Sequence, residues 1–321
     1  MALTLNEMKV GMNDKVSEKV VDIFVRESEI LQVLPFDNCV SPSGGSTLTY
    51  SYIQTLLPSM ANFRALNSEY TANEATLEEK SAKLKIFGGK FSMDRVLKQA
   101  EGKFNNMEFQ IEQKIKAAIS LFHHTLINGD ATTNELEFDG LDKMLAGTTS
   151  EFNADGTIDI STVALLKENA DQFYEMIQNL IRATNADALL MNTSMISKMQ
   201  TLARLLGYKT ESEEAFGKKI VSMDGVRFMD LKNAYSVSEN TPIATPCVPV
   251  AEDGTTAIYA VKFDVNDGFH GVTLTGTSGI HQYLPDFDQP GAVKDGEVEM
   301  VAATVLKNTA NAGVLRNIKL V

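Results

Sequence analysis

Tryptophan is absent from this chain, and only two cysteines and four histidines occur among its 321 residues. Cys39 and Cys247 lie too far apart in sequence to suggest a disulfide framework. One bridge is left open by the sequence, but two reduced, buried thiols are the reading that fits a cytoplasmic chain. His123 and His124 are adjacent on a helical pattern, so their side chains diverge by roughly 100° and do not chelate one ion readily. His270 and His281 have no cysteine or spaced carboxylate beside them. Long apolar runs are missing too. The best is Ala188-Leu189-Leu190-Met191, far from the ~20 residues of a membrane span. Met1 to Val10 lacks a basic segment followed by an apolar one, so no signal peptide is expected. Positive charge is in deficit: 29 Lys and Arg stand against 42 Asp and Glu, a net charge of −13. That argues against a dedicated nucleic-acid binder, which needs clustered cations for phosphates. It does not exclude a protein that surrounds nucleic acid without sticking to it.

The chemistry-bearing motifs are missing as well. There is no Gly-x-x-x-x-Gly-Lys-Ser/Thr, no Gly-x-Gly-x-x-Gly and no Gly-x-Ser-x-Gly. Asp286 and Asp288, between Pro285 and Pro290, form the one tempting carboxylate cluster, and a loop of surface acids explains it more economically. A Cys–His pair using Cys39 or Cys247 would need a fold that nothing in the sequence supports. No catalytic, cofactor-binding or metal-ligating residue is therefore assigned.

What the chain does contain is 44% hydrophobic residues, enough for real cores. Residues 92–127 read as one long amphipathic helix. Ser92 is the expected N-cap, with Asp94 in the first turn. Val96, Leu97, Ala100, Phe104, Met107, Ile111, Ile115, Ala118, Ile119, Phe122 and Leu126 recur every three or four residues. Asn128-Gly129 is the expected stop, as both tolerate the left-handed conformation, and Gly102 is a weak point. At 1.5 Å per residue such a rod spans roughly 50 Å.

Residues 6–34 form an earlier amphipathic stretch, stopped by Pro35 and followed by the breaker Ser41-Pro42-Ser43-Gly44-Gly45-Ser46. Leu48–Ile53 and Lys83–Phe87 alternate with strand period. The mostly polar residues between them cannot make a tight hairpin and read as a long projecting loop. Its charges run in order: Glu69, Glu74, Glu78 and Glu79, then Lys80, Lys83 and Lys85. They are either solvated surface or contacts that fix register on a neighbouring subunit.

After the long helix, Phe138 to Asp159 reads as irregular loop. Ser161 is expected to cap a second helix running through Ile181. Asp187–Met191 reads as a short buried strand, and Thr193 or Ser194 opens a third helix closed by Gly207. Asp224-Gly225 reads as a hairpin turn. Strands are expected at Ala257–Phe263, Gly271–Leu274, Glu297–Leu306 and Val314–Val321. A helix-rich middle and a strand-rich end make the fold class α+β rather than regular βαβ.

This order of elements resembles the major capsid protein family of tailed bacteriophages, whose Hong Kong-type capsid fold is shared with encapsulins. Local wording agrees. Asp187-Ala188-Leu189-Leu190-Met191-Asn192-Thr193, Leu206-Gly207-Tyr208, Lys219 to Val226, and Val305-Leu306-Lys307-Asn308 through Arg316-Asn317-Ile318 resemble segments of that family. The resemblance implies an N-terminal arm over 1–46, an extended loop over 47–91 and a peripheral domain over 92–158 and 297–321. The spine helix would be 92–127 and the axial domain 159–296. It implies no enzyme but a self-assembling shell subunit, forming hexamers and pentamers around double-stranded DNA that it contacts non-specifically, without a membrane. The virion is the implied location, with assembly in the host bacterial cytoplasm. Portal and separate scaffolding proteins are implied partners, since the arm and loop leave no room for a scaffolding extension and the chain starts at Met1. An encapsulin compartment, a soluble α+β hydrolase using Asp286 and Asp288, and a tail or connector subunit remain alternatives.

Overall fold

The computed structural model describes residues 29–40, 47–99, 106–153, 156–207, 211–215, 218–223, 225–238, 241–274 and 279–321. The amphipathic stretch before residue 29, the 41–46 breaker, Phe104, the Gly102 weak point, Asp224 and Tyr208 lie outside them. Strands follow in the order β1 (Phe36–Asn38), β2 (Thr49–Leu57), β3 (Thr76–Lys83), β4 (Lys85–Asp94), β5 (Glu151–Phe152) and β6 (Ile158–Asp159). Then come β7 (Ala188–Met191), β8 (Glu211–Ala215), β9 (Lys218–Met223), β10 (Val226–Asp230), β11 (Asn233–Ser238) and β12 (Thr241–Pro246). The last are β13 (Thr255–Val261), β14 (Phe269–Thr273), β15 (Ile280–Tyr283), β16 (Val293–Leu306) and β17 (Ala312–Lys319). The mixture of helix and strand is the expected α+β class.

Two sheets make the body. In the first, β16 is the hub. Its residues 302–306 pair with β14, 297–300 with β15 and 293–302 with β4, all antiparallel, while β1 joins β14 in parallel. The second has eight strands in the order β5-β17-β13-β7-β10-β9-β8, with β6 also on β17. Helices Ala170–Thr184 and Thr193–Leu206 bury Phe173, Ile177, Leu180, Met195, Met199 and Leu202 against this sheet. β7 is buried at all four positions, as its apolar run requires.

The sheets regroup segments that the sequence reading kept apart. β17 falls in the 297–321 segment assigned to the peripheral domain, yet it pairs with β13 inside the eight-stranded sheet. β14 and β15 fall in the 159–296 segment, yet they pair with β16 in the other sheet. β4 crosses from the 47–91 loop segment into the expected spine helix, and all ten of its residues pair with β16. Long-range strand pairing leaves no local trace, so periodicity could locate these strands but not their partners.

The long helix begins later than expected, and its continuity across 100–105 lies outside the described residues. Lys85–Asp94 is strand, so Ser92 is not an N-cap; its hydroxyl donates to Asp295 Oδ1 at 2.6 Å across the strand pair. Asp94 Oδ1 accepts from Val96 N at 2.8 Å and starts the helical segment Arg95–Gln99, on which Val96 is exposed. The described part of the spine beyond them is Asn106–Asn128, roughly 35 Å long. Ile111, Ile115, Ala118, Ile119, Phe122 and Leu126 form its buried stripe as expected. It stops at Asn128, but Gly129 is needed for space rather than for a left-handed turn. A Cβ there would sit 2.2 Å from the Phe138 carbonyl oxygen.

The presumed irregular stretch 138–159 contains helix Leu141–Leu145 and the two-residue strands β5 and β6, which borrow their hydrogen bonds from β17. The second helix divides into Val163–Glu168 and Ala170–Thr184. Its cap is Thr162, whose Oγ1 accepts from Leu165 N at 3.2 Å, not Ser161, which instead bonds Asp159. The third helix is opened by Asn192, whose Oδ1 accepts from Met195 N at 2.8 Å, and is closed by Gly207 at φ +75°. Asn192→Ala should destabilise the subunit by about 1 kcal/mol, read by urea unfolding. No loss would mean that the Asn192 cap and its Nδ2 bond to Thr256 Oγ1 at 3.1 Å add nothing net to stability.

Candidate assembly surface

β2 and β3 form a two-stranded arm that pairs with no other strand among the described residues. Thr49 opposes Lys83 at the root and Leu57 opposes Thr76 before the tip, with an irregularity after Thr55. The projecting loop of the sequence reading is thus a β-hairpin with an eighteen-residue tip, 58–75. Within the tip, Ser68 N donates to Ala65 O at 3.2 Å, and Asn67 takes φ +67°, a conformation asparagine tolerates. Arg64 lies over the Tyr70 ring, 5.3 Å from its centroid.

The two faces of the arm differ. Tyr50, Tyr52 and Gln54 turn toward the body, while Ser51, Ile53 and Thr55 are exposed. Strand pairing puts Glu78 and Lys80 on the first face and Glu79 on the second. Glu78 and Lys80 are 3.8 Å apart and satisfy each other. The acid-then-base order therefore does not become two outward-facing charged blocks. Glu69, Glu74, Glu79 and Lys83 are exposed on the arm. Lys85 is not on the arm: it starts β4, is half-buried, and its Nζ donates to the Glu135 carbonyl. Lys80, Lys83 and Lys85 share a groove of about 380 Å³ between arm and body with Asp139, Met144 and Thr304.

The sequence reading missed the apolar side of the arm. It took residues 58–80 as polar with few anchors. Ile53, Leu57, Met60, Phe63, Leu66, Tyr70 and Leu77 are all strongly exposed; Phe63 is fully so and Leu66 is 89% exposed. Scattered exposed apolar residues are ordinary, but seven large ones on a single two-stranded arm make it a candidate recognition surface. The available signal was the recurrence of Met60, Phe63, Leu66 and Tyr70 in a stretch too short to bury them.

The other candidate groups lie apart from the arm. Asp286 is exposed, and its Oδ1 accepts from Asp288 N at 3.0 Å, closing its own loop. His281 is exposed on β15. His123 is buried in the spine, where desolvation pushes its pKa down to about 4. Both cysteines are free; Cys247 is buried, which pushes its thiol up to about 12, whereas Cys39 is half-buried. Arg316 bonds Glu151 and Asp142, and Tyr259 Oη donates to the same Asp142 oxygen at 2.8 Å, tying β17 to helix Leu141–Leu145. Among the described residues no three His, Cys, Asp or Glu side chains converge as metal ligands, and no helix is long and apolar enough to cross a membrane.

No protein-family model and no curated protein sequence matches the chain. Solved structures do. The holo-SrpI encapsulin complex from Synechococcus elongatus PCC 7942 matches with a TM-score of 0.58 at 12% identity, over 90% of this chain and 87% of that one. The capsid of the native GTA particle matches at 0.57 and 10%, over 89% of each chain. Mycobacterium phage Bobi matches at 0.56 and 12%, over 90% of each. This is the Hong Kong-type capsid fold. At such identities only the fold is shared. The side chains that would make contacts are this chain's own.

Proposed function

We propose that this chain is the major capsid subunit of a tailed phage. Copies assemble into an icosahedral shell around double-stranded DNA, as hexamers and pentamers, in the cytoplasm of the host bacterium. The observation that carries the proposal is the arm. It bears large apolar residues that stay strongly exposed among the described residues. Surface of this kind is stabilised by another copy, and a head-to-tail contact repeated by rotation closes into rings. Shell building needs many weak contacts rather than one strong one. No catalytic role is proposed for Asp286, Asp288 or His281. Portal and scaffolding proteins are proposed partners of assembly. A net charge of −13 suits a wall that encloses DNA without gripping it.

The test is negative-stain electron microscopy of the expressed chain, with and without a co-expressed scaffold, followed by analysis of particle contents. Closed shells holding nucleic acid support the proposal. Closed shells holding a protein cargo would assign the chain to an encapsulin-like compartment instead. A discrete monomer or dimer under all conditions would overturn both.

The exposed arm charges are proposed as secondary contacts, through Glu69, Glu74, Glu79 and Lys83, with Lys80 and Glu78 as an internal pair and Lys85 bracing the body. Reversing Lys80 and Lys83 to Glu should leave the subunit folded, since an exposed pair contributes only about 0–1 kcal/mol. Assembly yield should fall modestly. The difference from wild type should shrink between about 0.1 M and about 1 M salt, as the screening length drops from ~10 to ~3 Å. Sedimentation of both proteins at the two salt levels decides it. Equal yields throughout would reduce these side chains to solvated surface.

A further inference from the structure

The arm is fastened to the body by one face of β2. Tyr50 Oη donates to Asp37 Oδ2 at 2.5 Å, Tyr52 Oη to the Leu306 carbonyl at 3.3 Å, and Gln54 Nε2 to the Lys307 carbonyl. His270 lies beside Tyr50. It sits on β14 with no exposed surface, its ring edge-on to the Tyr50 ring at 74° and 5.9 Å between centroids. Its Nδ1 is 3.3 Å from the Gly268 carbonyl. Only the tautomer with hydrogen on Nδ1 can use that oxygen, which leaves Nε2 as a bare lone pair. Nε2 has no hydrogen-bond partner and is buried.

We propose that His270 is a proton-operated latch for the arm. With the imidazole neutral, Tyr50 closes against it and bonds Asp37. Protonation at Nε2 creates a buried N–H and a full charge with no acceptor, a state far costlier than the neutral one. The ring cannot withdraw with its strand, because β14 is paired on both sides, by β1 and β16. Tyr50 is the neighbour that can yield, since among the described residues its strand pairs only with β3. Opening the arm root lets water reach the imidazolium.

The surrounding charges are few. Lys307 opposes the imidazolium, while Asp37 and Asp264 favour it. Lys307 Nζ lies 5.3 Å from the Tyr50 centroid and donates to the Val265 carbonyl at 2.7 Å, so it is itself held in place. Cys39, whose thiol donates to the Thr47 and Thr49 carbonyls, stays neutral because burial and Asp37 raise its pKa. Tyr50 stays neutral for the same two reasons. Burial, and then Lys307, hold His270 below the ordinary histidine value, against the Gly268 carbonyl and the two aspartates. The sign follows. In the open arm His270 returns toward about 6.5, so closure is fully favoured above that pH and weakens as pH falls toward the lowered closed-state value.

The latch lies within one chain, so it is tested on the full-length unassembled subunit whether or not copies form a shell. Hydrogen exchange, corrected for the intrinsic rate, is followed over residues 49–57 from about pH 7.5 to about pH 5. Protection there should fall roughly ten-fold in wild type, while β13 holds. In His270→Gln the fall should vanish; in His123→Gln it should remain, because that buried histidine lies against Leu231, away from the arm. A flat wild-type response, or the same response in His270→Gln, overturns the latch. Should His270→Gln fail to fold, the imidazole of His270 is titrated by carbon-13 NMR in wild type. A midpoint coinciding with the exchange step supports the latch, and a midpoint outside it refutes it.

Discussion

Replacing Met60, Phe63 and Leu66 together by Ser should abolish particle formation and leave the subunit's stability nearly unchanged. The three side chains are 70% or more exposed and touch no core. Surface substitutions of that kind shift folding by about 0.5 kcal/mol or less. If each is buried by a neighbouring copy, it contributes roughly 1.5–3 kcal/mol to the contact. Losing three removes several kcal/mol per contact, and every 1.4 kcal/mol is about a factor of ten in association. The cost recurs at each subunit, so the shell should fail rather than merely weaken. Sedimentation and electron microscopy read assembly, and urea unfolding reads the fold. Wild-type particle yield from the triple variant would show that the arm's apolar side is not an interface. The charge-reversed Lys80/Lys83 variant should lie between this variant and wild type, because exposed charges are worth less than buried apolar area.

Phe122→Ala should be the most damaging single substitution in the spine. Phe122 is 1% exposed. Its ring stacks on Phe87 at 6.1 Å and 18°, and meets Phe138 at 5.9 Å. It thereby joins the spine to β4 and to the loop that precedes helix Leu141–Leu145. Removing it loses the transfer energy of the ring and leaves a cavity between three elements, an expected loss of about 3–5 kcal/mol. Leu121→Ala, one residue earlier and 45% exposed, should cost far less. Urea unfolding of the unassembled subunits compares the two. Similar losses would mean that the three-ring cluster does not determine the spine's stability.

The candidate surface was legible in part. Two strand-like ends with unpackable chain between them announced a projection, since a tight hairpin needs a short connection. Its charges were legible too, but strand alternation and not their order decides which side they occupy. Glu78 and Lys80 are two apart, so they share a face and pair; Glu79 takes the other. The apolar anchors were overlooked because residue type says that Phe63 prefers burial, not whether its own chain provides any. His270 shows the same limit. Nothing around it in sequence marks it, because its partners Asp37, Tyr50 and Lys307 come from three distant segments.

By itself the sequence determined the local elements and the class. The stripe from Ile111 to Leu126, the buried run Ala188–Met191 and the left-handed stop at Gly207 follow from interactions within a few residues, so one segment suffices to read them. The order of these elements was enough to suggest the fold. The tertiary structure alone decided where strands go once formed. It placed β17 in the eight-stranded sheet and β4 along β16, and it carried the strand on to Asp94, past Ser92 where the helix was expected to begin. Backbone hydrogen bonds between strands are indifferent to side-chain identity and to sequence distance, so their partners are chosen by the packing of the whole chain.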